Sequence, residues 1–127
     1  MSGSQTRKLR DQLQRSLRRE RFSEALTLYQ TLERLEPHEP RWPHRKGDLL
    51  KRLGRHEQAV PSYIRAVDLY AELGFVARAA AMAKVVVQID PEREDVIERV
   101  TADAARELNR SAGGTHIRRI SRDALPL

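Results

Sequence analysis

The chain repeats itself at a spacing of 34 residues, and that period constrains the fold more than any other feature. Ala25 and Ala59 stand 34 apart, as do Tyr29 and Tyr63, Glu24 and Gln58, and Leu26 and Val60. The strings are Phe22-Ser23-Glu24-Ala25-Leu26-x-x-Tyr29 and His56-Glu57-Gln58-Ala59-Val60-x-x-Tyr63. Each follows a basic turn, Arg19-Glu20-Arg21 in the first and Arg52-Leu53-Gly54-Arg55 in the second. The two segments, Thr6 to Glu39 and Pro40 to Leu73, align without a gap. A unit this short cannot bury its own apolar face, so its copies must stack to form a continuous core.

The apolar residues recur at helical spacing, and few stretches alternate over the length of a strand. The fold class expected is all-α, with helices near 5–19, 23–36, 40–53, 57–73, 76–89 and 92–109. Gly54 and Gly74 suit the ends of the helices before them, where a left-handed residue closes the last turn. Asp90-Pro91 is a helix start, with a capping carboxylate followed by a proline at the first helical position. A third unit counted from Gly74 places Ala81 at the small crossing position, but Arg93 then falls where Ala is expected. A rival alignment, shifted by 20, sets Ala79 and Pro91 on the second-helix pattern. Alternation of short-looped helices favours the first alignment, with the fifth helix an inner, first-type helix.

These residues resemble the tetratricopeptide repeat family over positions 6–107. The second unit carries the marks best: Gly47 at the small position of the first helix, Gly54 at the turn, Ala59 opening the second helix, then Tyr63 and Ala66. In the first unit Leu9, Leu13, Ala25, Tyr29 and Pro37 fit, with Leu13 standing where Gly or Ala is usual. Small residues let two helices approach, and the aromatic fills the space they leave. The resemblance implies three helical hairpins in a short right-handed α-solenoid over residues 1–110, and Ser111-Ala112-Gly113-Gly114 reads as a flexible linker that opens a tail over 111–127. It also implies a concave groove lined by the first helix of each unit. The positions that point into it carry Arg7, Arg10, Gln14, Leu17 and Arg18 in the first unit, and Arg41, His44, Asp48, Lys51 and Arg52 in the second. Six of these ten are Arg or Lys. The Asn residues with which some family members clamp a peptide carboxylate are missing.

Charge agrees with a basic groove. Residues 1–60 hold 14 Lys/Arg against 8 Asp/Glu, whereas residues 61–127 hold 10 against 10, so the whole excess of +6 lies in the first half. The partner expected is a protein or peptide, acidic and with an apolar anchor. Nucleic acid or an anionic surface is the alternative, through the basic first helices. Interleaved aromatics for base stacking are missing, and Trp42, between Pro40 and Pro43, is read as loop packing.

No catalytic residue, cofactor or metal is expected, and the chain is read as a binding protein rather than an enzyme. It has no cysteine, which excludes a disulfide framework and a thiolate zinc site. His38, His44, His56 and His116 lack metal-ligand spacing. No secretory signal or transmembrane segment is visible, so a cytoplasmic location is expected.

The fifth helix is apolar nearly all round, interrupted by Arg78, Lys84 and Gln88. Such a helix needs cover on both sides. The family's groove positions fall on Phe75, Arg78, Met82, Val85 and Val86, which predicts an apolar pocket at Phe75, Met82 and Val85 beside the basic stretch. Its occupant would be a partner segment, the chain's own Ile117 and Ile120, or a second copy paired through helix 76–89. The tail also contains Arg118-Arg119-Ile120-Ser121, which looks like a basophilic kinase site.

Overall fold

The computed structural model describes residues 3–114, with side chains at all of them except 103 and 107–114. Every element among them is helical: α1 (Gly3–Arg18), α2 (Phe22–Leu35), α3 (Arg41–Arg52), α4 (His56–Glu72), α5 (Val76–Ile89), a 3-10 turn (Pro91–Arg93) and α6 (Glu94–Gly114). Each helix packs on the next, and α6 also reaches α4. Two apolar clusters result. One joins α1, α2 and α3 through Leu13, Ala25, Tyr29, Leu32, Trp42 and Leu49. The other joins α3 to α6 around Leu50, Tyr63, Val67, Tyr70, Val86 and Val96. Neighbouring Leu49 and Leu50 thus send α3 into both. Helices α1 and α3 both contribute to this shared cluster, with no close backbone approach between them among the described residues.

Glycine is required where α3 crosses α4. A Cβ on Gly47 would sit 2.8 Å from the Cδ1 and Cε1 atoms of Tyr63. The ring cannot easily retreat: it is 1% exposed, and its hydroxyl donates a 2.6 Å hydrogen bond to Asp48.

The helix ends follow a repeated local design. Among the described residues three have positive φ, Glu20 (57°), Gly54 (80°) and Gly74 (85°), and each lies just past a helix. In each case the following N–H closes a wide turn: Arg21 to the Ser16 carbonyl, Arg55 to Leu50 and Phe75 to Tyr70, all at 2.8 Å. The next helix then starts from the same backbone, with φ/ψ of −89°/75° at Arg21, −92°/65° at Arg55 and −86°/69° at Phe75. Four residues on, Ala25, Ala59 and Ala79 are each 0% exposed. This geometry corrects the expectation for α5. Its start is that of α2 and α4, so the alignment shifted by 20 describes it, and Ala81, expected at the small crossing position, is exposed. The ends agree as well: Glu36 after α2 and Asp90 after α5 both donate their N–H back four residues, to Leu32 and Val86, at 2.8 Å, and both precede a proline.

Three further expectations change. Trp42 belongs to the first turn of α3 rather than to a loop. Pro43 does not break that turn, because the first N–H groups of a helix have no helical acceptor in any case. The indole is 1% exposed, tilts on Tyr29 and donates a 2.7 Å hydrogen bond from Nε1 to Glu36. Asp90 does cap the next element, accepting from the Glu92 N–H at 3.2 Å, but that element opens as a 3-10 turn before α6 begins. Helix α6 then runs through Ser111-Ala112-Gly113-Gly114, residues read from sequence as linker. The rest of the tail, including Ile117, Ile120 and Ser121, lies outside the described residues.

Two substitutions test this account. Gly47→Ala gains about 1 kcal/mol of helix propensity but forces the α3–α4 contact apart, so a net loss of about 1–2 kcal/mol is expected. Glu20→Gly relieves a left-handed side-chain clash and is expected to stabilise by up to about 1 kcal/mol. Urea unfolding of both variants measures the two signs.

Candidate partner-binding surface

The site is built on α4, whose Tyr63 and Tyr70 lie seven residues apart on one face. Tyr63 faces α3, where Asp48 accepts its hydroxyl proton. Tyr70 is 3% exposed and lies where α3, α4 and α5 meet. Its hydroxyl is 2.8 Å from Nδ1 of His44, whose ring meets the phenol edge-on. The other imidazole nitrogen of His44 is 3.5 Å from Asp48. On the α5 side Tyr70 meets the Phe75 ring edge-on, with centroids 6.4 Å apart.

Cations surround these rings. The Arg78 guanidinium lies 5.9 Å from the Tyr70 centroid and 5.8 Å from that of Phe75, within range of the negative ring faces. Arg41 lies 5.0 Å over Trp42 and pairs with Glu39 at 3.1 Å. Burial pulls the Glu39 carboxyl upward, but hydrogen bonds from the Arg41 side chain and backbone outweigh it and leave the group below its usual range. Arg78 forms no ion pair among the described residues. The rings hold its charge in place without neutralising it, and Phe75 and Leu73, each 50% exposed, stand beside it. A carboxylate could pair with this guanidinium in two-point fashion while an apolar side chain covers Phe75.

The structure therefore brings together His44, Phe75 and Arg78 around Tyr70 from the residues singled out in sequence, while Arg41 stands over Trp42 at the start of α3. Met82 is buried in the α3–α6 core and Val85 is half-buried against it, so these two side chains are taken up by packing, and the open apolar pocket expected at Phe75, Met82 and Val85 is reduced to the exposed Phe75 ring. The outer face of α5 is Ala77, Arg78, Ala81, Lys84 and Gln88, where alanine leaves the helix little apolar area to cover. Lys51 and Arg52 are exposed at the far end of α3, with Arg52 lying 5.4 Å over Phe22 of α2. Arg7 and Arg18 are exposed and Arg10 half-buried on α1, and no described contact joins them to the aromatic cluster.

Tyr70 and Asp48 are the residues sequence reasoning underweighted. The signal was there for Tyr70: it follows Tyr63 by seven and sits four residues before Gly74, the position whose carbonyl closes the turn. No group of three or more His, Cys, Asp or Glu residues that could hold a metal forms among the described residues. No helix of the described residues is long and apolar enough to cross a membrane. No protein-family model matches the chain, and no curated protein matches it significantly.

Burial, reinforced by the hydrogen bond to Asp48 and by its charge, raises the Tyr63 phenol far above its ordinary value of 10.0. The folded state thus holds this proton more tightly than the unfolded chain. The associated stability is intact below pH 10 and is lost as pH rises from there towards the folded value. Alkaline unfolding followed by circular dichroism should show this loss in the natural protein and a shallower one in Tyr63→Phe.

Proposed function

We propose that the protein is a binding adaptor of the tetratricopeptide type, whose α3–α4–α5 surface takes an acidic or amphipathic segment of a partner protein. The observation that carries the reading is Arg78, an unpaired guanidinium held between Tyr70 and Phe75 beside half-exposed apolar side chains. Exposed apolar groups next to an ordered cation are a common form of partner site. The architecture we infer is a short right-handed stack of three hairpins, α1–α2, α3–α4 and α4–α5, with α4 shared by the last two and α6 covering the end. The third is entered by a step of 20 residues instead of 34. Its setting in this reading is the cytoplasm, and the reading involves no catalysis.

One observation favours a second reading. Helix α1 carries Arg7, Lys8, Arg10, Arg15 and Arg18 against Asp11, and none of these forms an ion pair among the described residues. Such a face could attract nucleic acid or another polyanion through sequence-independent charge.

Affinity capture from a lysate of the source cell at low and moderate salt separates the two. The adaptor reading predicts protein partners that survive nuclease treatment and are lost with Arg78→Glu or Phe75→Ala. Arg10→Glu with Lys51→Glu should weaken capture and flatten its salt dependence. All three variants should keep wild-type helical content, because the altered side chains belong to neither apolar cluster and charges at the surface contribute little to stability. Unchanged protein capture by Arg78→Glu and Phe75→Ala would contradict the adaptor reading. Capture abolished by nuclease would favour the second.

A further inference from the structure

On the side of α4 away from Tyr63 and Tyr70, a cleft of about 370 Å³ opens between α2 and α4, with α3 as its floor. The two walls make no close backbone approach to each other among the described residues. The volume falls within the range of ligand sites. On the α4 wall, Gln58, Ser62 and Arg65 follow one another at helical spacing, so they share one face, and Arg55, the residue just before the helix, lines the same cleft. The two guanidinium-bearing positions are ten residues apart, or about 15 Å along the helix. Between them lie an amide and a hydroxyl. Ser62 is 7% exposed and, among the described residues, forms no hydrogen bond.

Pro61 lies inside α4 and lines the cleft. The α2 wall contributes Leu26 and Gln30, and Leu50 lies in the floor. At the α2–α3 seam Lys46 pairs with Glu33 at 2.6 Å, both only about one-fifth exposed. Arg65 donates to the Pro37 carbonyl at 3.0 Å, and no ion pair forms with Arg55 among the described residues. Against Lys46, Arg55 and Arg65 stands one carboxylate, Glu33, so the cleft is cationic.

We propose that this cleft is a docking site for an extended acidic peptide segment. Its two carboxylates would be four to five residues apart, with small apolar residues between them. The spacing follows from the geometry: an extended chain advances about 3.3 Å per residue, so four to five residues cover the distance from Arg55 to Arg65. Gln30, Gln58 and Ser62 supply donors and acceptors for a peptide backbone. Leu26 and Leu50 take the apolar side chains in the middle. The site is independent of the Tyr70 cluster.

The test uses two fluorescein-labelled heptapeptides of one composition, Ser-Asp-Ala-Val-Ala-Asp-Ser and Ser-Asp-Asp-Ala-Val-Ala-Ser, and reads anisotropy at low ionic strength. The spaced peptide should bind at least about tenfold more tightly than the one with adjacent acids. Arg55→Gln and Arg65→Gln should each weaken it by about fivefold or more. Glu33→Gln, which frees Lys46 and removes the opposing charge, should tighten it. Arg78→Glu should leave it within about twofold, since that side chain lies at the other surface. Helical circular dichroism checks each variant, and Arg55→Gln serves should Arg65→Gln disturb the Pro37 loop. Equal affinity for the two peptides, no binding of either, or indifference to Arg55→Gln would overturn the proposal. So would a single-stranded oligonucleotide that binds more tightly through the same arginines.

Discussion

The contact between Gly47 and Tyr63 fixes how closely α3 can lie on α4, and the rest of the molecule is arranged around that distance. A ring packed against bare backbone brings the helices nearer than any side chain at residue 47 would permit. Asp48 then falls within reach of the Tyr63 hydroxyl, and His44 within reach of Tyr70 one turn nearer the other end of the helix. The polar pairs are possible because the apolar crossing is tight. They also hold the crossing in one register, since a buried phenol that lost its acceptor would cost about 1–3 kcal/mol.

A second constraint is the turn that follows α1, α3 and α4. In each, one residue of positive φ lets the chain reverse, and the next helix begins from nearly identical backbone angles. Because the third such turn comes 20 residues after the second rather than 34, α4 serves two neighbours. It is the later helix of the pair with α3 and the earlier helix of the turn into α5. Tyr63 meets the first neighbour and Tyr70 the second. The aromatic–cation surface exists because α4 is long enough to carry both, at 17 residues against 14 for α2 and α5.

Much of this was legible in the sequence, and what was not has physical reasons. The paired Ala and Tyr positions located α2 and α4, and the expected span of α5 was met at both ends. The role of α5 was misjudged because alternation outweighed the local evidence of Gly74, Ala79 and Pro91, a pattern that reports turn geometry directly. Trp42 was misplaced because Pro43 looks like a breaker, yet proline is harmless in a first turn. The basic residues of α1, α3 and α5 were read as one lining, but sequence spacing shows only which positions share a helix face. Which of them gather around a common aromatic depends on how the helices meet, and Tyr70 was the residue that decided it. The α2–α4 cleft was invisible for the same reason, since its walls belong to helices that make no close backbone approach to each other among the described residues.

The claim on which this depends most is the close crossing of α3 and α4, and one nuclear Overhauser spectrum of the labelled protein tests it directly. The account predicts strong cross-peaks between the Gly47 α-protons and the ring protons of Tyr63, with those α-protons shifted well away from unstructured values by the ring current. Gly47 α-protons at unstructured shifts, with no cross-peak to Tyr63, would contradict it.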